Sequence, residues 1–163
     1  MKKIYWFAGV LLLAAALTYL KLQILDQAPS INVTTITGQH IALQQLRGKP
    51  VLVTFWATDC VSCVQEIPDL VGLYNRYHSE GFELIAIAMA YDPPNHVVEL
   101  SQSMQLPYPI TLDITGEYAL AFGQVKLTPT TFLIAPDGSI AWQQTGKFEL
   151  ADLQARIESL LKG

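Results

Sequence analysis

The stretch from Val51 to Pro68 constrains the fold of this chain more than any other. It starts with an apolar run, Val51 to Trp56, whose β-branched and aromatic residues predict a buried strand. The tripeptide Ala57-Thr58-Asp59 follows, and its short polar side chains favour a helix N-cap. Cys60 and Cys63 come next and are the two cysteines of the 163-residue chain. Their spacing predicts that both sulfur atoms lie on one face at the start of a helix.

A cysteine at a helix start has a stabilised thiolate. The first backbone N–H groups of a helix have no intrahelical partner, and the positive end of the helix dipole favours an anion. Both effects act on Cys60, and the thiolate is the nucleophile in thiol–disulfide exchange. Cys63 lies one turn further along, where it is placed to resolve a mixed disulfide. The pair therefore predicts redox chemistry.

Two other interpretations of the cysteine pair compete with this one. A structural zinc site needs four ligands, but the chain has no second cysteine pair, and His40, His78 and His96 lack ligand spacing. A purely structural disulfide would close a very small loop and would stabilise the fold little. Redox chemistry remains the favoured interpretation, and no metal is expected.

The first 25 residues predict a membrane anchor. Two lysines, Lys2 and Lys3, precede a charge-free apolar run from Ile4 to Leu20, which has the length of a short membrane-spanning helix. The lysines would remain in the cytoplasm and place the rest of the chain outside. Because no A-x-A-like cleavage site follows Leu20, an uncleaved anchor is favoured over a cleaved signal peptide or a buried soluble helix.

The remaining sequence divides into a tether, residues 26–30, and a folded domain, residues 31–163. We expect a single-pass protein of the bacterial cytoplasmic (inner) membrane, with the catalytic domain on the periplasmic side. Such a compartment permits disulfides. The net charge is −4 and no basic run is present, so nucleic acid is not an expected partner.

The folded domain has the pattern of an α/β protein. An amphipathic helix is predicted over residues 64–77, and an apolar strand over 84–90 implies a right-handed crossover and a parallel strand pair. Pro136-Asp137-Gly138 predicts a hairpin between strands at 131–135 and 140–144. A second helix is predicted over 96–104, and a final helix over 150–161.

These motifs together resemble the thioredoxin superfamily, specifically its exported, membrane-anchored branch of TlpA/ResA-like thiol–disulfide oxidoreductases. The resemblance covers about residues 31–162. It implies a thioredoxin-like fold, with a central mixed sheet flanked by helices, an N-terminal extension and a central strand–helix insertion at residues 82–118. The matching residues are Gly48-Lys49-Pro50, Phe55-Trp56-Ala57-Thr58, Cys60-x-x-Cys63, Glu66-x-Pro68, Thr128-Pro129-Thr130 and Phe132-Leu133-Ile134-Ala135-Pro136-Asp137-Gly138.

The resemblance also implies roles for individual residues. Cys60 would be the attacking thiol and Cys63 the resolving one. Pro129 would be the family's cis-proline beside the cysteines, although an ordinary trans proline is the alternative. Thr128 would offer a backbone edge to an extended substrate segment. Trp56 and Asp59 complete the expected substrate-binding set.

Two acidic residues bear on the reactivity of the thiols. In the reductive members of the branch, a glutamate at the position of Glu66 is partly buried and would relay protons to or from Cys63, with a raised pKa; a solvated surface glutamate is the alternative. Asp59 replaces the tryptophan that thioredoxins usually carry there. Its charge should disfavour the Cys60 thiolate, but as an N-cap it would be partly neutralised.

The predicted function is that of an exported protein-disulfide oxidoreductase. On family grounds a reductase is favoured over an oxidase, and no cofactor is expected beyond the Cys60–Cys63 disulfide. Its substrates would be protein disulfides, and its electrons would come from a membrane thiol donor, as in relatives that serve cytochrome c maturation. A peroxiredoxin-type peroxidase is one alternative, but its motif needs threonine where Ala57 stands. A copper-binding assembly protein is another, but it needs a wider cysteine spacing and a well-placed histidine.

Overall fold

The computed structural model of the protein describes residues 27–162. The membrane anchor predicted for residues 4–20 lies outside this range, and within it no helix has both the length and the apolar character of a membrane span. The end of the predicted tether is held against the domain. The Ala28 N–H donates to the Gly138 carbonyl at 2.9 Å, and Gln27 forms an isolated bridge with Ser139. Residues 27 and 28 therefore lie beside the turn at Gly138 and Ser139.

A small antiparallel pair of strands precedes a five-stranded mixed sheet. The pair is β1 (Asn32–Thr34) and β2 (His40–Ala42); the sheet contains β3 (Val51–Trp56), β4 (Glu83–Ala88), β5 (Ile110–Leu112), β6 (Thr130–Ile134) and β7 (Ile140–Thr145). The spatial order is β5-β4-β3-β6-β7, in which β3, β4 and β5 run parallel and β6 runs antiparallel to both of its neighbours. The predicted α/β fold, with a central mixed sheet and a late hairpin, is confirmed.

Strand β3 lies at the centre of the sheet, and all six of its residues are buried. Alternate side chains point to opposite faces of a sheet. Leu52 and Trp56 accordingly belong to one apolar core, while Val53 and Phe55 belong to the other. A run without polar alternation suits a strand that is covered on both faces.

In the part of the chain that the structure describes, four α-helices cover the two faces of the sheet. They are α1 (Val61–Tyr77), α2 (Pro94–Ser103), α3 (Glu117–Ala121) and α4 (Leu150–Leu161). Helices α1, α2 and α4 contribute Ile67, Val97 and Leu153 to the first core, and α3 contributes Ala119 to the second. The final helix has the bounds that its apolar stripe predicts. Helix α1 begins at the cysteine pair and ends at Tyr77, as predicted.

The segment 82–118, expected to hold an additional strand–helix element, supplies β4, α2 and β5. It therefore forms the half of the sheet on one side of β3. The predicted strand over 84–90 ends earlier, at Ala88, because a turn follows in which the Asp92 N–H donates to the Met89 carbonyl. The Met89 N–H donates to the Trp56 carbonyl, and the Asp113 N–H donates to the Ala88 carbonyl. The carboxyl ends of three parallel strands thus lie side by side, at the edge that carries the cysteines.

Candidate active site

Cys60 and Cys63 lie where β3 ends and α1 begins. A disulfide joins them, with an S–S distance of 2.08 Å and a Cα–Cα distance of 5.2 Å. Cys60 is half-buried, whereas Cys63 is only 3% exposed. A partner that approaches from solvent therefore reaches the sulfur of Cys60 before that of Cys63.

Helix α1 is capped by Cys60 itself and not by the residues before it. The backbone of Cys60 is extended, and its sulfur accepts a hydrogen bond from the Cys63 N–H at 3.2 Å. A turn precedes the helix, closed by the Cys60 N–H donating to the Ala57 carbonyl at 3.2 Å. The expectation that Asp59 caps the helix is wrong. The turn places Cys60 at the capping position and leaves Asp59 exposed, one residue before it.

In the disulfide form, the polar groups around the Cys60 sulfur are of the kind that favours a thiolate. The Cys63 N–H points at that sulfur from the positive end of the α1 dipole. The hydroxyl of Ser62 lies 3.5 Å from the same atom and adds a second polar neighbour. The charge of Asp59 opposes them, but it is exposed and therefore screened by solvent. Ser62 is not among the residues that the sequence singled out, and its position between the cysteines was the available signal.

Glu66 lies one turn after Cys63 and is 1% exposed. Its Oε1 accepts a hydrogen bond from the Phe148 N–H at 2.8 Å. Burial raises the pKa of the carboxyl group from 4.5 to about 7, while the hydrogen bond from Phe148 and the charge of Lys147 act in the lowering direction. The expectation of a buried carboxyl group with a raised pKa is confirmed, and the alternative of a solvated glutamate is wrong.

A small space behind the disulfide is lined by both Cys63 and Glu66. Its walls include Cys63, Glu66, Trp56, Tyr108 and Pro129. Trp56 is 4% exposed, and its Nε1–H is buried without a hydrogen-bond partner among residues 27–162. Burial also raises the pKa of the Tyr108 phenol. Trp56, expected in the substrate-binding set, therefore stands behind the cysteines and not on the surface that faces a partner.

The Thr128–Pro129 peptide bond is cis, as the resemblance implies. Pro129 is buried against the space behind the disulfide, and Thr128 is half-buried. The Pro129 carbonyl accepts a hydrogen bond from the Gly146 N–H at 2.8 Å, which ties this loop to the end of β7. Thr128 itself stands two residues before the first residue of β6. The structure thus brings Cys63, Glu66 and the Thr128–Pro129 loop together.

The loop after β4 adds two side chains that the sequence did not indicate. The Asp92 carboxyl group accepts hydrogen bonds from the N–H and the hydroxyl of Thr58, each at 2.6 Å. The hydroxyl of Tyr91 lies 3.3 Å from that of Thr128. In the sequence, Asp92-Pro93-Pro94 marks a helix start and gives no sign of a partner 34 residues away. The hydroxyl of Thr58, next to the position of the peroxidase motif, is thus engaged by Asp92.

Three exposed apolar side chains belong to the segments that carry Cys60 and Thr128 or contact them. Val61, Tyr91 and Leu127 are 72%, 56% and 65% exposed, respectively. Val61 follows Cys60 directly, Leu127 precedes Thr128, and Tyr91 contacts Thr128 through its hydroxyl. Large apolar side chains next to a functional group in water are typical of a surface that contacts another protein. In residues 27–162, no three His, Cys, Asp or Glu side chains form a group that could hold a metal ion.

Comparison with known proteins identifies the family. A family model described as Redoxin matches residues 24–157. The thiol-disulfide oxidoreductase ResA of Bacillus thuringiensis subsp. konkukian is 31% identical over 140 residues, which cover 86% of this chain and 80% of the relative. The ResA of Geobacillus thermodenitrificans is 32% identical over 133 residues, which cover 82% and 75%. The chain belongs to this family, as a TlpA/ResA-like member of the thioredoxin superfamily.

Solved structures agree with this assignment. The thiol:disulfide interchange protein of the thioredoxin family from Chlorobium tepidum superposes with a TM-score of 0.76 at 29% identity, covering 83% of this chain and 96% of the other. StoA from Bacillus subtilis, at 24% identity, shows the same fold with a TM-score of 0.68 and covers 80% and 97%. This ResA-like protein has a thioredoxin-like fold, and it is a protein-disulfide oxidoreductase with a Cys-x-x-Cys pair at disulfide distance.

Proposed function

We propose that this ResA-like protein reduces disulfide bonds of proteins outside the cytoplasm, from an anchor in the bacterial cytoplasmic membrane. The observation that carries the proposal is the difference in solvent exposure between the two cysteines. The Cys60 sulfur is accessible at a helix start, and the Cys63 sulfur is buried on the side of Glu66. An accessible nucleophile and a sheltered resolving thiol are what a two-step exchange with a large substrate requires.

The reaction begins in the reduced protein with attack by the Cys60 thiolate on one sulfur of a client disulfide. A new S–S bond joins Cys60 to the client, and the client's other sulfur leaves as a thiolate. Cys63 then attacks the Cys60 sulfur, which releases the second client sulfur and restores the Cys60–Cys63 disulfide. Two electrons pass from the protein to the client, and two protons end on the client's thiols.

Glu66 would assist the second step. Cys63 is a nucleophile only after it loses its proton, and it is shielded from bulk water. The carboxyl group of Glu66 lines the same small space and has a pKa of about 7. A base with a pKa near the working pH takes up and returns a proton efficiently. Glu66 would therefore accept the proton of Cys63 as this thiol attacks.

The substrate would be a polypeptide. The surface formed by Val61, Tyr91 and Leu127 is apolar and exposed next to Cys60, and it would cover the apolar flanks of a client's cysteine. The backbone of Thr128, beside the cis-proline, would pair with an extended segment of that client. Asp59 lies exposed at the same site and would contribute charge to this surface.

Electrons must return to Cys60 and Cys63 after each turnover. A membrane dithiol protein would supply them, since residues 4–20 would hold the domain close to the membrane. The reductive direction rests on the resemblance to the reductive members of the branch. Reduction of the cysteines of an apocytochrome c would be one use of this activity.

The reduction potential of the Cys60–Cys63 pair tests the direction. We expect a titration of the purified full chain, in mild detergent and thiol redox buffers, to give a value at or below about −220 mV. The reduced protein should then reduce insulin catalytically when dithiothreitol is supplied. A potential near about −120 mV would identify an oxidant and overturn the reductive proposal.

Two variants test the order of the two thiols. Cys60→Ser should abolish insulin reduction, whereas Cys63→Ser should accumulate a mixed disulfide between Cys60 and the client. The mixed species is visible on a non-reducing gel and disappears on reduction. A mixed disulfide that forms through Cys63 in Cys60→Ser would contradict the assigned order.

A further inference from the structure

Asp92 has an unusual set of partners for a buried acidic residue. Its side chain is 5% exposed, and both of its oxygens are used on one residue. Oδ2 accepts from the Thr58 backbone N–H and Oδ1 accepts from the Thr58 hydroxyl, each at 2.6 Å. The ion pairs found among residues 27–162 do not include Asp92. The carboxyl group is thus bound to a single threonine that lies 34 positions earlier in the chain.

Burying a carboxyl group costs free energy unless its oxygens are hydrogen-bonded. At Asp92 these bonds come from the turn that leads into the cysteines. Thr58 is the second residue of that turn, which the Cys60 N–H closes by donating to the Ala57 carbonyl. A residue held at both its N–H and its hydroxyl has little freedom to rotate. The bonds to Asp92 therefore fix the direction in which the chain enters α1.

That direction determines the environment of the Cys60 sulfur. In the disulfide form, Cys60 occupies the capping position with an extended backbone, and its sulfur receives the Cys63 N–H at 3.2 Å. The strength of such a bond falls steeply when donor and acceptor are misaligned. A loosened turn would let the Cys60 sulfur move away from the N–H groups that stabilise its thiolate.

We propose that Asp92 is a positioning residue for Cys60: by holding Thr58 in the turn before the helix, it keeps the reduced Cys60 sulfur aligned with the N–H groups at the start of α1. The inference rests on the proposed function only in taking Cys60 as the attacking thiol. Asp92 does not touch the sulfur or the client. It acts through the backbone of Thr58.

The test is the pH dependence of Cys60 alkylation by iodoacetamide. It uses the full chain in mild detergent and a Cys63→Ser background, so that Cys60 is the single thiol. We expect Asp92→Ala to raise the pKa of Cys60 and to slow alkylation below that pKa by about three- to tenfold, because one pKa unit changes the thiolate fraction tenfold. Thr58→Val, which removes the donated hydroxyl and keeps the shape, should shift the profile in the same direction by less.

Asp137→Ala is the matched control. Asp137 also accepts from the N–H and the hydroxyl of one residue, Ser139, at 2.9 and 2.6 Å, but it does so in the β6–β7 turn. Its loss should leave the Cys60 profile unchanged. If the role of Asp92 were purely structural, Asp92→Ala would lower the thermal stability but would not change the pH dependence of Cys60 alkylation.

Asp92→Asn separates position from charge. Asparagine keeps one acceptor oxygen for the Thr58 N–H and removes the negative charge. The rate of Cys60 alkylation in this variant should therefore stay within about twofold of the parent at each pH. If the pH dependence of Cys60 alkylation is unchanged in both Asp92→Ala and Thr58→Val, the proposal is overturned. A lowered pKa of Cys60 in the two Asp92 variants also overturns it, because this result would show that Asp92 acts through its charge. If Asp92→Ala does not fold, Thr58→Val decides alone. Alkylation of Cys60 needs no client protein. The alkylation result therefore tests the role of Asp92 even if the protein fails to reduce insulin.

Discussion

Glu66 shows how burial sets the chemistry of a single residue. Its carboxyl group is 1% exposed, and desolvation raises its pKa from 4.5 to about 7 against the opposing effects of Phe148 and Lys147. The folded state therefore binds this proton more tightly than the unfolded chain does. The stability that comes from the bound proton is complete below about pH 4.5, and it is lost as the pH rises through about 7.

Glu66→Gln should remove this loss of stability. The interval between a pKa of 4.5 and one of about 7 corresponds to about 3 kcal/mol in the free energy of unfolding. Glutamine keeps an acceptor for the Phe148 N–H and cannot ionise. We expect the variant to melt at a higher temperature than the parent at pH 8 and at a similar temperature at pH 4.5, measured by circular dichroism on the oxidised protein.

The same variant should slow the second half of the exchange. With the proposed proton acceptor removed, the mixed disulfide should persist longer, while the first attack by Cys60 keeps its rate. Equal pH dependence of the melting temperature in Glu66→Gln and the parent would contradict the assignment of the raised pKa to this carboxyl group.

At the scale of elements, the pairing of β3 with β6 connects the cysteines to the cis-proline loop. β3 ends four residues before Cys60, and β6 begins directly after Pro129. Between the two strands, the hydroxyls of Thr54 and Thr131 form a buried hydrogen bond of 2.9 Å. One hydroxyl donates to the other, and the two threonines are direct partners in the register of the two strands.

Thr54→Val should leave the Thr131 hydroxyl buried without its partner. Such a group costs about 1–3 kcal/mol, whereas replacing both partners by apolar groups of the same shape is nearly neutral. We expect Thr54→Val and Thr131→Val each to lower the free energy of unfolding, and the double variant to recover most of the loss. Chemical denaturation of the four proteins measures this cycle. Additive losses in the double variant would show that the two hydroxyls are not coupled.

At the scale of the whole molecule, the two apolar cores meet at β3, and the redox pair stands at the end of this strand. Cys63 belongs to the first apolar core and Cys60 packs against it, while Val61, Tyr91 and Leu127 are exposed. A membrane anchor at residues 4–20 would restrict this site to partners at one membrane surface. It would also raise the local concentration of a membrane-bound electron donor.

The proposed topology predicts the accessibility of Cys60 in cells. In spheroplasts that express the full chain, a membrane-impermeant maleimide should label the reduced protein before lysis, because the domain would lie outside the cytoplasm. The protein should also remain in the membrane fraction after carbonate extraction. A chain that lacks residues 1–25 is the control, and its thiols should be labelled only after lysis. Labelling of the full chain only after lysis would contradict the outward orientation.

The sequence alone predicted the features that local patterns encode. The uninterrupted apolar run of β3, the hairpin at Pro136-Asp137-Gly138 and the stripe of α4 are each specified by residues close together in the chain. The cysteine pair and the Thr128–Pro129 motif also matched a known family as they stand. The fold and the redox pair could therefore be predicted before any coordinates.

The tertiary structure decided what lies between distant segments. Periodicity gives no sign that Asp92 binds Thr58, or that the Phe148 N–H reaches Glu66 across 82 positions. The short polar side chains at 57–59 also suggested the wrong cap, because the closed turn places Cys60 at the capping position. The reason is physical: local propensity is a property of neighbours in sequence, but the pKa of a buried carboxyl group and the alignment of a thiolate depend on groups that only packing brings together.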